Sequence, residues 1–206
     1  MRRKLVFIAI GIIVVISYFA FSNQTKSVYK IVLDPGHGGE DVGAIGASGL
    51  YEKDFTLNQT LKVMKLLEED ERIEVYLTRD DDHYISQKSR YRSTFANDLK
   101  ADLFVSIHGN AFTNNKATGT ETFYYRRKSR SLARVIHKHL VEATGFDDRE
   151  VQKENFYVIK DTKMPAVLLE IGFLSNREEE SLMFTEQFQE QVAEAIVAGI
   201  EEYLFD

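Results

Sequence analysis

Apolar residues come in two kinds of run along this chain. The first is unbroken and uncharged, from Leu5 to Ser22, rich in Ile, Val, Leu and Phe and preceded by Arg2, Arg3 and Lys4. No helical face of it is polar, so it reads as a membrane anchor or signal peptide and not as a helix of a folded core. A spanning helix needs roughly 17 to 25 residues, which this run just reaches. Ala20-Phe21-Ser22 is a poor cleavage site, which favours retention as an anchor. With the positive flank inside, everything after Ser22 is expected outside the cytoplasm, tethered to the membrane or secreted to the wall. Residues 23–28 (NQTKSV) form a polar linker, so the expected division is 1–28 for anchor and linker and 29–206 for one folded domain.

Beyond the linker the runs are short and alternate in period. Tyr29 to Leu33 is compact and partly β-branched and ends in Asp34-Pro35-Gly36, the pattern of a strand followed by a turn. Leu57, Leu61, Met64 and Leu67 recur at spacings of four, three and three, which predicts an amphipathic helix with Asp54 placed to cap it. A strand over Ile73 to Leu77 and a helix through Tyr91, Phe95 and Leu99 follow. Leu103 to Ile107, Thr120 to Tyr125, Asn155 to Ile159 and Ala166 to Ile171 read as further strands, with a helix near Ser131 to Ala143. A closing helix carries Phe188, Val192, Ile196 and Tyr203 on one stripe. Such alternation gives an α/β domain, a mostly parallel twisted sheet with helices on both faces.

Composition narrows the chemistry. Of the 26 Lys and Arg residues, Arg2, Arg3, Lys4 and Lys26 precede the domain, so the remaining 22 face 32 acidic residues, a net of −10. Nucleic acid is therefore excluded as a natural partner. Cysteine is absent, which removes disulfides, thiol nucleophiles and Cys-type zinc sites, so any metal must be held by His and carboxylate.

In α/β sheets, ligands bind beyond the carboxyl ends of the strands. His37 follows the first strand through a glycine-rich turn, His108 follows Phe104-Val105-Ser106-Ile107, and Glu170 ends Ala166-Val167-Leu168-Leu169, so the three are expected on one edge of the sheet. Glu52, between a glycine-rich loop and the first helix, can turn back toward His37. Two His and two Glu meet the needs of a zinc hydrolase. Taken singly, each is also an ordinary structural residue; Glu170 alone strains that view, because its apolar neighbours on both sides imply a buried carboxylate. His137 and His139 point to opposite sides of a helix and cannot share a metal, and the acidic loop Asp80-Asp81-Asp82-His83 reads as solvated.

Leu33-Asp34-Pro35-Gly36-His37-Gly38-Gly39, Glu52-Lys53-Asp54, Ser106-Ile107-His108 and Leu169-Glu170-Ile171-Gly172-Phe173-Leu174-Ser175-Asn176 together resemble, in order and spacing, the zinc-dependent N-acetylmuramoyl-L-alanine amidases. The resemblance runs from about Tyr29 to Leu204 and includes Thr78-Arg79-Asp80, Ala101-Asp102-Leu103 and Asn155-Phe156-Tyr157-Val158; Gly109 stands where such enzymes often have Ala. It implies one Zn2+ held by His37, Glu52 and His108, Glu170 as the catalytic carboxylate, and peptidoglycan as substrate, with the membrane reached through the N-terminal segment. Two other readings of the same residues stay open: a zinc peptidase cutting elsewhere in the stem peptide, and an inactive, membrane-tethered wall-binding module.

Overall fold

The structure, a computed structural model, describes residues 28–205. The expected anchor over Leu5 to Ser22 lies outside them, and among the described residues no helix is long and apolar enough to cross a membrane. Six strands form one sheet: β1 (Tyr29–Pro35), β2 (Ile73–Leu77), β3 (Leu103–Asn110), β4 (Thr120–Tyr124), β5 (Asp148–Lys153) and β6 (Ala166–Phe173), in the order β2-β1-β3-β6-β4-β5. All neighbours are parallel except β4 and β6. The near-continuous apolar runs of β1, β3 and β6 are explained by their central place, where both faces of a parallel strand are covered.

Strand alternation divides the core in two. Ile31, Leu33, Val105, Ile107, Val167, Leu169 and Ile171 face one side, under α1 (Glu52–Leu67), α3 (Arg130–Thr144) and α6 (Glu186–Phe205). Val32, Phe104, Ala166 and Leu168 face the other, which among the described residues is covered by α2 (Tyr91–Leu99) and the single turn α4 (Tyr157–Lys160). The same parity puts Asp34, Ser106, His108 and Glu170 on this thinly covered face, where a groove can open.

On the thick side α3 and α6 meet closely at Gly199, where a Cβ would come within 2.7 Å of the Cα of Ile136. Gly199→Ala is expected to cost about 1–3 kcal/mol by overpacking this backbone contact. Urea unfolding measures it, and a variant as stable as the parent would show that the helices can part without loss.

Several expectations are corrected. Asp54 does not cap α1: the helix starts at Glu52 after Tyr51, no side chain caps it, and Asp54 lies in the first turn, where its charge suits the helix dipole. The buried face of α1 is Phe55, Gln59, Val63 and Leu67, while Leu57 and Leu61 are only half-buried. The strand expected over Asn155 to Ile159 is instead mostly the helical turn α4, with Val158 and Ile159 inserted in the core; a run this short has no period to separate strand from helix. The strand of that region is β5, exposed and polar at the sheet edge, which gives no alternating signal. The short helix α5 (Arg177–Met183), capped by Asn176 accepting from Glu178 N and Glu179 N, was also not foreseen.

Candidate metal centre

Where β1 ends, the chain turns into a left-handed residue, His37, with φ of 60°. A non-glycine residue holds that conformation only when its surroundings over-determine it. Here two buried arginines do so. Arg92 donates from Nη1 to Pro35 O and from Nη2 to His37 O, both at 2.6 Å. Arg79 donates from Nη2 to Gly36 O at 2.8 Å and from Nε to Pro35 O at 3.2 Å. Arg92 is itself neutralised by Asp34 at 2.6 Å, whose fully buried carboxylate also accepts from Ser106 Oγ (2.6 Å) and Thr78 Oγ1 (2.5 Å). Burial alone would raise the Asp34 pKa, but the Arg92 charge and these hydrogen bonds outweigh it and hold the carboxyl below its ordinary value.

His37 Nδ1 lies 2.9 Å from Asp41 Oδ1, which fixes the ring and leaves Nε2 turned inward, 3.1 Å from Glu52 Oε2. The other oxygen of Glu52 is 2.9 Å from His108 Nδ1. Glu52 is buried at the start of α1 and further accepts from Ala44 N (2.8 Å) and Gly109 N (3.2 Å). Burial opposes its ionisation, yet the bonds to His108 and His37 prevail and the carboxyl sits far below the usual range. The His108 ring lies directly on Gly36, where a Cβ would meet it at 2.3 Å, so only glycine permits the approach.

Glu170 is the Cα partner of His108 in the β3–β6 ladder. Its Oε2 is buried with no hydrogen-bond partner, and burial, then the charges of Glu52 and Glu121, push its pKa well above the ordinary value. Glu121 faces it across β4, held by Asn110 Nδ2 at 2.8 Å and Arg149 Nε at 2.5 Å. All four expected residues, His37, Glu52, His108 and Glu170, thus line a single groove of about 390 Å³, together with Asn110, Phe156 and Tyr157.

Two imidazoles and a carboxylate with donor atoms within 4.8 Å of one another can hold a metal ion. Bonds of about 2.1 Å in a tetrahedron put donors roughly 3.4 Å apart, so little movement separates this arrangement from a zinc site. The donor set, the Asp41 bond behind His37 and the unpartnered Glu170 oxygen beside it suit a catalytic ion with an open position. His137 and His139 point elsewhere, to Asp148 and Glu202, as expected. The acidic loop is less idle than its sequence implies, since Asp82 accepts from Gly39 N and pairs with Lys53. Asp41, Arg92 and Glu121 were not foreseen from the sequence. Only Asp41 left a trace, as an acid four residues beyond a candidate ligand.

A family model described as N-acetylmuramoyl-L-alanine amidase matches residues 31–202. The uncharacterized protein YqiI of Bacillus subtilis is 42% identical over 184 residues, which cover 87% of this chain and 85% of the relative. A probable cell wall amidase, LytH of Staphylococcus epidermidis, is 36% identical over 88% of this chain, and the match spans only 60% of the relative's length. Among solved structures, the catalytic domain of the N-acetylmuramoyl-L-alanine amidase CwlV from Bacillus (Paenibacillus) polymyxa superposes with a TM-score of 0.84 at 47% identity, covering 86% of this chain and 98% of that one.

Proposed function

The chain belongs to the N-acetylmuramoyl-L-alanine amidase family, and from that premise we propose that it is a zinc-dependent, extracytoplasmic hydrolase cutting the amide between N-acetylmuramic acid and L-alanine in peptidoglycan. The observation that carries this reading is the convergence of His37, Glu52 and His108 next to Glu170, whose Oε2 is buried without a hydrogen-bond partner. In it, His37 Nε2, His108 and Glu52 are the metal ligands, and the run from Leu5 to Ser22 tethers residues 29–206 to the membrane. Zinc would supply Lewis-acid polarisation and lower the pKa of a water to about 7.

The chain's own residues do the rest. Asp41 fixes which nitrogen His37 presents. Glu170 takes the proton of the attacking water and returns it to the departing alanine nitrogen, and burial, which raises its pKa above the ordinary carboxylate value, favours its holding that proton between the two steps. Phe156 and Tyr157 border the groove on the thinly covered face and give an extended substrate an apolar wall.

The test is metal content together with product analysis on purified peptidoglycan. One zinc per chain and chelator-sensitive release of peptides with a new N-terminal alanine are expected. A different new amine would assign the chemistry to another stem-peptide bond, and a protein that binds no metal and releases nothing would leave a wall-binding module.

A further inference from the structure

The end of the sheet opposite the metal centre gathers positive charge. Because β4 runs antiparallel to β6, Tyr124 meets Val167 and the chain leaving β4 lies beside the chain entering β6. Arg126 donates from Nε to Thr162 O and from Nη2 to Lys160 O, both at 3.0 Å, and Lys128 Nζ donates to Lys163 O. Segments 126–130 and 160–163 thereby bring Arg126, Arg127, Lys128, Arg130, Lys160 and Lys163 together, all exposed. Lys153, from the end of β5, joins Lys160 over the ring of Tyr125, at 5.6 and 5.9 Å. Of the neighbouring acids, Asp161 is drawn to Arg90 at 3.7 Å, Glu154 stands at the end of β5, and Asp148 and Glu150 line a groove with Arg130 and Arg134 on the flank of the cluster. Among the described residues no ion pair engages any of the six.

Charge pairing does not explain this cluster. In a domain whose net charge is −10, like charges are crowded together. Arg127, Lys128 and Arg130 also stand at the N-terminal end of α3, whose first turn holds no acid and whose dipole adds further positive potential. A cost of this kind is recovered when an extended anion covers the surface.

We propose that this cationic end is a docking surface for an anionic phospholipid bilayer. The choice of a lipid surface rests on the membrane tether proposed above. β1 begins at the same end of the sheet, two strands from β6, or roughly 10 Å at the spacing of paired strands. The linker of residues 23–28 can span at most roughly 20 Å. A bilayer holding Leu5 to Ser22 therefore lies within reach of these cations, and basic residues close to a membrane are drawn to anionic headgroups. The α1 and α6 side of the same end carries Glu69, Glu194 and Glu201 around a separate groove, so an anionic surface attracts the β4–β5 half and repels the other. The domain would settle tilted onto segments 126–130 and 160–163.

The experiment mixes the full chain with preformed vesicles of phosphatidylcholine, with and without phosphatidylglycerol, and reads acetylation of individual lysines by mass spectrometry. Lys128, Lys160 and Lys163 should be protected on the order of tenfold by anionic vesicles only, reversibly with salt, while Lys116, exposed in the loop between β3 and β4 at the opposite end of the sheet, stays reactive. R127E/R130E/K163E should abolish the protection of Lys128 and Lys160 with an unchanged melting temperature. If the chain associates with anionic vesicles alone, the surface holds and the tether fails. Association with both compositions without selective protection overturns the surface and keeps the tether, and association with neither overturns both. Protection by a soluble glycerol phosphate polymer but not by anionic vesicles also overturns the lipid assignment.

Discussion

Glu170→Gln should keep its zinc and lose turnover by about 10²- to 10⁴-fold, the usual contribution of a positioned general acid and base. The amide keeps the shape of the side chain and removes only its ability to carry the proton. Because Glu170 is not one of the three converging ligands, metal content measured on the purified variant should match the parent. His108→Ala, by contrast, should lose both. Turnover within tenfold of the parent for Glu170→Gln would sink the assignment.

The same substitution has a stability signature in metal-free protein. The folded-state pKa of Glu170 lies above its ordinary value of 4.5, so on raising the pH the unfolded chain gives up this proton first. Over that window the native state binds more protons than the unfolded one, and stability falls with rising pH through the folded pKa. Glu170→Gln removes this slope. Thermal melts in chelator at about pH 5 and about pH 8 should therefore show a smaller decline for the variant than for the parent. Equal declines would mean that the carboxyl is not held neutral by its surroundings.

The second large effect is expected at Asp34→Ala, at about 3–5 kcal/mol of stability, because it leaves Arg92 buried without its counter-charge and strands the hydroxyls of Ser106 and Thr78. That is a large part of the 5–15 kcal/mol that holds a domain of ordinary stability together. Arg92 also props Pro35 O and His37 O, so zinc affinity measured by competition should weaken by roughly 10- to 100-fold, as for other groups behind a metal ligand. The Asp34 pKa is lowered in the folded state, so its contribution is complete above the ordinary value of 3.8 and disappears as the pH falls through the folded one. Asp34→Asn keeps the shape but not the charge and should show most of the same loss. Urea unfolding at neutral pH checks both variants, and a loss below about 1 kcal/mol would show that the arginine finds another partner.

How much of this was readable from the chain depends on which interactions set each element. β1, β3 and β6 declared themselves because central parallel strands are apolar on both faces, and the position of His108 and Glu170 followed from where those runs stop. Glu52 was legible from its place before a helix. The edge strand β5 and the turn α4 were not, since the first has no buried face and the second is shorter than one helical period. The arginines behind His37 were hidden for a different reason. Arg92 lies on α2 among polar residues, and nothing local distinguishes a cation that points to solvent from one that is buried on a carboxylate some sixty positions earlier.

His108 and Glu170 share one rung of a hydrogen-bonded ladder at the centre of the sheet, whereas His37 and Glu52 are placed by a turn and the first residue of a helix. The four groups therefore do not share one opening event. Breaking the rung requires the sheet to unfold, but His37 can swing away when the turn alone loosens, and such local openings are far more frequent than global ones. Exchange of the ion with solution would then follow the breathing of the His37 turn, faster than the unfolding rate of the domain, and would quicken when Arg92 or Arg79 is weakened even in variants whose melting temperature barely moves.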